Sequence, residues 1–412
     1  MTTHAKPLGP IPDGFETIDG QLAVGGKTAS ALVEAAGETP LFVYSRQLIE
    51  TRMARLREAM PQQLKINYAI KANSFSPILE LMVKLVDGLD IASSGELCMV
   101  QTTGIDMSRV SFAGPGKRKD ELEAAIAAGV TLNLESEGEA DRALAIAERL
   151  GVAPRLAVRV NPDFELKGSG MKMGGGAKPF GIDAVRAPAL IKRIVEAGCE
   201  WRGLHIFAGS QALDAEAVIE TQAATLALAD RLATDAQVGL TRLNLGGGFG
   251  IPYFAGDRPL DIDAVGAALG EKLDNPLPNL VQTEFHIELG RYLVGEAGVY
   301  LTRIVDCKES GGETFLVTDG GLHHQLAASG NFGTVVRRNY PLAIASRFSA
   351  APEEVANVVG CLCTPLDRFA DRAELPRANV GDVVAVFCAG AYGASASPSA
   401  FLGHGPATEM MV

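Results

Sequence analysis

Through the middle of the chain, short apolar runs alternate with amphipathic, alanine-rich stretches of helical length. The runs INYAI (66–70), LDIA (89–92), RVSFA (109–113), TLNL (131–134), LAVRV (156–160), RGLHIF (202–207), RLNLG (242–246) and TEFHIE (283–288) read as strands. Stretches such as 118–128, 136–149, 183–197 and 214–233 read as helices. An open, doubly wound sheet has the same rhythm. Eight strands is the count of a (β/α)8 barrel, so a TIM-type barrel over residues 45–294 is the expected α/β fold.

After residue 295 the rhythm changes. VYLTRIVDCKE, ETFLVTD, NVVGCLCT and DVVAVFCAG are strand-like, with turns between them. QLAVGG and LFVYS near the N-terminus are strand-like too, so residues 1–44 and 295–412 are expected to form one mostly-β domain. The Gly-rich, basic stretch KGSGMKMGGGAKP after the fifth strand reads as a mobile loop at a functional position.

With 47% hydrophobic and 21% charged residues among 412, the chain can bury two cores. A net charge of −12 argues against nucleic acid or an anionic membrane as a partner. The six cysteines are scattered, with neither disulfide nor metal spacing, which fits a reducing cytoplasm. The N-terminus has no apolar core of a signal peptide, and no run reaches membrane-span length. His323 and His324 are adjacent; in a strand their side chains would diverge, so no shared metal is expected.

Barrel chemistry sits at the C-terminal ends of the strands. There the chain carries Lys71, Asp90 with Ser93 and Ser94, Arg159 with Asn161, Gly209-Ser210, Gly246-Gly247-Gly248, and Glu288 followed by Gly290 and Arg291. A triple glycine lets backbone N–H groups approach an anion, and Arg291 and Ser210 would add donors. Singly, each has an ordinary explanation. The glycines make a tight turn, and Lys71 is a structural lysine paired with Glu288. Together, an amine, a phosphate cradle and a carboxylate are the parts that pyridoxal 5'-phosphate (PLP) needs, with burial expected to lower the pKa of Lys71.

YAIKAN around Lys71, LDIASSGEL, GPGK (114–117), RVNP (159–162), GSQ (209–211), LGGGFG (245–250), ELGR (288–291) and GAYG (390–393) follow in order. This succession resembles the barrel-fold PLP-dependent decarboxylases of the diaminopimelate, ornithine and arginine type, with alanine racemase a more distant relative. The resemblance implies a homodimer with active sites at the subunit interface. It implies that Lys71 holds PLP and Glu288 faces the pyridine nitrogen. Ser210, Gly247, Gly248, Gly290, Arg291 and Tyr392 would surround the phosphate, and Asp90 and Arg159 would line the pocket. Cys363 would be lent to the partner subunit to return a proton.

Two positions depart from the family. The ring-stacking histidine is replaced by Phe207, which can stack but cannot hydrogen-bond. His205, two residues earlier, reads as a core histidine. Thr364 stands where diamine-type relatives have an acid for the distal ammonium. That makes diaminopimelate, ornithine and lysine poorer substrates, although Asp367 lies nearby. MKMGG, DGGLHH, RRNYP, CTPLD and SPSAFLGH resemble the branch of L-glutamyl–acyl-carrier-protein and exosortase-associated decarboxylases. The implied substrate is an amino acid tethered to a carrier protein. Lys167, Lys172 and Lys178 would meet the carrier's phosphopantetheine, or form an ordinary solvated lid. Arg337 or Arg338 would take a substrate carboxylate, or be a surface charge pair. The alternatives are a free diamino-acid decarboxylase, a racemase and a non-catalytic PLP-binding homologue.

Overall fold

The computed structural model describes residues 4–168, 170–330 and 338–412. The chain divides into two compact units, one of residues 53–250 and 259–290 and the other of residues 1–52, 251–258 and 291–412.

The first unit is a closed parallel barrel. Its strands are β1 (Lys65–Ala69), β2 (Gly88–Ile91), β3 (Val110–Phe112), β4 (Thr131–Leu134), β5 (Arg155–Asn161), β6 (Glu200–Ile206), β7 (Arg242–Gly247) and β8 (Glu284–Leu289). Each pairs in parallel with the next, β8 pairs with β1, and β4 with β5 completes the ring. The doubly wound alternative is therefore ruled out. Such strands are covered on both faces, which is why they read as continuous apolar runs. Ile66, Tyr68, Leu89, Phe112, Leu132, Val158, Leu204, Leu243 and Ile287 are all buried.

Local chemistry sets the helices between strands. Ser93, Ser136 and Asp214 each accept a backbone N–H of the first turn of the helix that follows, a cap worth about 1 kcal/mol. Gly129 and Gly151 end two of them in the left-handed conformation. The capping role of Ser93 accounts for one of the hydroxyls expected at the second strand's end. In the Gly-rich stretch, Met171–Lys172 pairs antiparallel with Gly209–Ser210, a short ladder that the composition did not suggest.

The second unit is mostly β. Its long strand β9 (Gly298–Ser310) pairs with β10 (Glu313–Thr318) and with β13 (Val383–Val386), and β11 (Glu354–Val359) and β12 (Arg368–Leu375) continue the sheet beyond β10. The N-terminal strand Leu41–Tyr44 pairs with Gly298–Leu301 on one side and with the C-terminal strand Thr408–Met411 on the other. Leu22, Leu32, Leu41, Val43, Val299, Leu301 and Phe387 form its core. NVVGCLCT is not one strand: β11 stops at Val359 and Gly360–Cys363 turns away. Asp367 packs against this bend: its side chain accepts from Leu362 N at 2.8 Å and would lie 2.2 Å from a Cβ on Gly360.

Candidate active site

Parallel register levels the barrel's polar residues. Asn67 stands beside Glu288, Glu288 beside Gly247, Ala69 beside Asp90, and Arg159 beside His205. Lys71 comes just past β1, in the single helical turn Ile70–Ala72. Tyr68 Oη donates to Asn73 O at 2.7 Å, and Phe75 N donates to Asn73 Oδ1 at 3.0 Å, bracing that turn. Lys71 Nζ lies 3.6 Å from Glu288 Oε1 and 6.0 Å from the centre of the Phe207 ring. The barrel thus brings together the lysine, the carboxylate and the aromatic residue singled out in the sequence. The expectation that Lys71 is buried does not hold: its side chain is 50% exposed. β1 ends two residues before it, and the turn carries it out of the core.

Glu288 is buried and meets His205, whose Nε2 is 3.1 Å from Glu288 Oε2 but not aligned as a hydrogen bond. Burial alone would raise the Glu288 carboxyl; the charge of Lys71 first, and that of Arg159 with it, outweigh burial and hold it well below the usual range. Asp90 is pushed the other way, by burial first and by the charge of Glu288 second. Burial and charge thus drive the two carboxyls apart, Glu288 toward the ionised form and Asp90 toward the protonated one. His205 is buried too, and burial keeps it neutral. It is not a bystander in the core, because it faces the key carboxylate.

Arg159 donates from Nη1 to Glu135 Oε1 at 2.9 Å, and its guanidinium lies 5.2 Å from the Phe180 ring centre. Glu135 went unnoticed in the sequence. It follows β4 directly, is buried, and also accepts from Gly114 N (2.6 Å) and Gly181 N (3.0 Å), tying three strand ends together. Its position just beyond an apolar strand was the same signal that picked out Lys71.

The glycines at the end of β7 are required. Gly248 has φ +81°, and a Cβ there would lie 2.3 Å from Gly209 O. A Cβ on Gly247 would lie 2.0 Å from Glu288 O. Gly290 is similarly crowded by Ala72 Cβ at 2.9 Å. Ser210 is half-buried in the short ladder with Met171.

In the second unit, Arg291 donates from Nη1 to Tyr253 Oη at 2.6 Å and lies 4.8 Å from the ring centre of Tyr392, itself at φ +59°. Cys363 is exposed on the bend after Gly360. Thr364 Oγ1 accepts from Leu366 N at 3.3 Å, so its hydroxyl helps form the local turn. Asp367 is buried, and its two oxygens accept from Leu322 N (2.7 Å) and Leu362 N (2.8 Å). That makes it a staple between the two loops. Arg338 stacks 3.8 Å from the ring centre of Phe254 and reaches Asp257 at 4.0 Å, as the charge-pair alternative required. Arg337 and the side chain of Lys172 lie outside the described residues. Lys167 pairs with Glu220 at 2.9 Å on the surface. His323 and His324 sit in a turn and not in a strand, with ring centres 3.8 Å apart, so the expected divergence is wrong.

A barrel mouth with an accessible amine, an ionised buried carboxylate and a flat aromatic face suits an aldehyde cofactor with a basic ring nitrogen. The backbone at Gly247, Gly248 and Gly290 leaves no room for a side chain, and Asp90 Oδ2 is buried without a hydrogen-bond partner, so backbone donors and a polar atom remain to receive it. These residues fit PLP. The comparisons agree. Residues 46–295 match the model of the pyridoxal-dependent decarboxylases' pyridoxal-binding domain. The chain is 34% identical over 383 residues to the L-glutamyl-[BtrI acyl-carrier protein] decarboxylase of Niallia circulans, covering 91% of this chain and 89% of that protein. It is 32% identical over 382 residues to the diaminopimelate decarboxylase of Aquifex aeolicus, covering 92% and 88%. The structure of diaminopimelate decarboxylase from M. jannaschii with L-lysine superposes with a TM-score of 0.87 at 27% identity, covering 97% of this chain and 93% of that one. The chain belongs to the pyridoxal-dependent decarboxylases, and PLP is its cofactor. Among the described residues no helix is long and apolar enough to cross a membrane.

Proposed function

We propose that this decarboxylase removes CO2 from the α-carbon of an amino acid held on an acyl carrier protein, with a glutamyl group as the first candidate. PLP, when bound, supplies an electron sink for the pair left behind when the Cα–carboxyl bond breaks. Lys71 holds its aldehyde carbon. Glu288 provides the fixed negative charge for a protonated ring nitrogen, and Asp90, protonated, adds no second charge. Phe207 offers an apolar face for the ring. Arg159, neutralised by Glu135, lines the pocket. The glycines at 247, 248 and 290, with Ser210, Arg291 and Tyr392, bind the phosphate. Cys363 returns a proton to Cα from a partner subunit of a homodimer.

The observation that carries the cofactor roles is the Lys71–Glu288 pair with Glu288 held ionised. For the substrate it is Thr364, a neutral residue whose hydroxyl already serves its own turn. A free distal ammonium would find no counter-charge there, at a cost of several kcal/mol in a closed site. A tethered acyl group carries no such ammonium. The identity to the glutamyl-carrier enzyme supports this reading. The similarity to diaminopimelate decarboxylases favours the second reading, a free diamino acid. Six free cysteines fit a cytoplasmic setting.

CO2 release from free glutamate, lysine and diaminopimelate, measured beside carrier-loaded glutamate, separates the two. Turnover of the carrier-loaded form alone is expected. Efficient turnover of free diaminopimelate or lysine would reject the carrier reading.

A further inference from the structure

In the second unit three residues distant in sequence come together away from any role assigned above. The ligand-type atoms of His323, Cys361 and His404 all lie within 4.8 Å of one another. Cys361 Sγ is 3.9 Å from His404 Nε2. Tetrahedral zinc places a sulfur and a nitrogen ligand about 3.6 Å apart, from bonds of about 2.3 and 2.05 Å. His323 is completely buried, yet neither ring nitrogen has a hydrogen-bond partner. An imidazole buried with both nitrogens unsatisfied is costly unless something receives it.

The surroundings hold these residues in place. Asp367 accepts from Leu322 N and Leu362 N, the neighbours of His323 and Cys361, and so clamps the two turns that carry them. Gly321 and Gly360 make room for that carboxylate; a Cβ on either would come within 2.4 Å of it. The third segment is fixed by His324, whose Nε2 contacts Gly405 O at 3.0 Å while its Nδ1 contacts Tyr300 Oη at 3.0 Å. With both nitrogens occupied, His324 is a support and not a ligand. Cys361 is half-buried and His404 exposed, which leaves an entry path from solvent.

We propose that His323, Cys361 and His404 form a binding site for a divalent transition ion of the zinc class. Two imidazoles and one thiolate select a borderline-soft ion over calcium or magnesium. Three protein ligands leave the fourth position to water. Binding forms one sulfur–metal and two nitrogen–metal bonds and releases the thiol proton to solvent, with no redox change. Because Cys361 opens the bend that carries Cys363 and Thr364, the ion would also stiffen that bend.

The test uses the full-length, PLP-loaded chain with reduced thiols, stripped by chelator and then titrated with Zn2+ by calorimetry and with Co2+ by absorption. The expected result is one ion per chain and a thiolate-to-cobalt charge-transfer band. Cys361→Ser should lose the band, and His404→Ala, at an exposed position that leaves the core intact, should lose stoichiometric binding. Cys307→Ser, elsewhere on the surface, should keep both. Absence of one-to-one binding in the wild type, or a thiolate band that survives in Cys361→Ser, would overturn the proposal.

Discussion

Glu135→Gln isolates the contribution of the residue that ties the barrel mouth together. Glu135 accepts from Arg159 Nη1, Gly114 N and Gly181 N at 2.9, 2.6 and 3.0 Å. Glutamine keeps one acceptor oxygen but turns its NH2 either toward Gly181 N or, flipped, toward both Gly114 N and Arg159 Nη1. It also leaves Arg159, only 8% exposed, without its counter-charge. Breaking a buried pair costs about 3–5 kcal/mol, and the surviving hydrogen bonds offset part of that. A net loss of about 3 kcal/mol is expected, or about 1 M in the urea midpoint for a slope near 3 kcal/mol/M. The single tryptophan, Trp201, lies in β6, so its fluorescence reports the barrel. Adding Arg159→Met should recover part of the loss, because the stranded charge goes with it. An unchanged midpoint in Glu135→Gln, or a double variant that loses the full sum of both single effects, would mean that Glu135 does not neutralise Arg159 in the folded barrel.

Glu288→Gln removes the fixed negative charge while keeping the shape. PLP should still bind, but kcat should fall by about a hundredfold with little change in KM; a change confined to KM would count against the role. Gly248→Ala forces a Cβ against Gly209 O in a left-handed conformation, which should lower stability by about 1–3 kcal/mol and weaken PLP binding in a fluorescence titration. The pH dependence has a defined sign. Burial and Arg242 push His286 down to about 4 against the pull of its Glu284 contact, and Glu284 is itself lowered to about 2. The unfolded chain therefore takes up the imidazole proton near pH 6.5 and the folded chain only near 4. Stability of the PLP-free protein should fall as pH drops through that window, and His286→Gln should flatten the slope in thermal melts.

The barrel was legible because its strands are buried on both faces and so appear as eight apolar runs. Lys71, Asp90, Arg159 and Glu288 stood out as polar residues placed in or just after such runs. Glu135 carried the same signal but also resembles an ordinary acidic helix start. The position of His205 against Glu288 follows from the registers of β6 beside β7 and of β7 beside β8, which single-strand patterns do not contain. The exposure of Lys71 depends on one helical turn after β1. The packing of Asp367 against the bend at Gly360 depends on the chain folding back over seven residues. His323, Cys361 and His404 have no motif spacing because the topology of the second unit brings them together from three separate turns. Met171–Lys172 pairs across 38 residues with Gly209–Ser210, a contact that glycine-rich composition conceals.

The most direct measurement is to reduce the PLP-loaded enzyme with borohydride, digest it, and locate the phosphopyridoxyl group by mass spectrometry. One modified residue per chain, Lys71, is expected, with no visible cofactor absorbance in Lys71→Ala. Label on another lysine, or absorbance that persists in that variant, would show that Lys71 does not hold PLP.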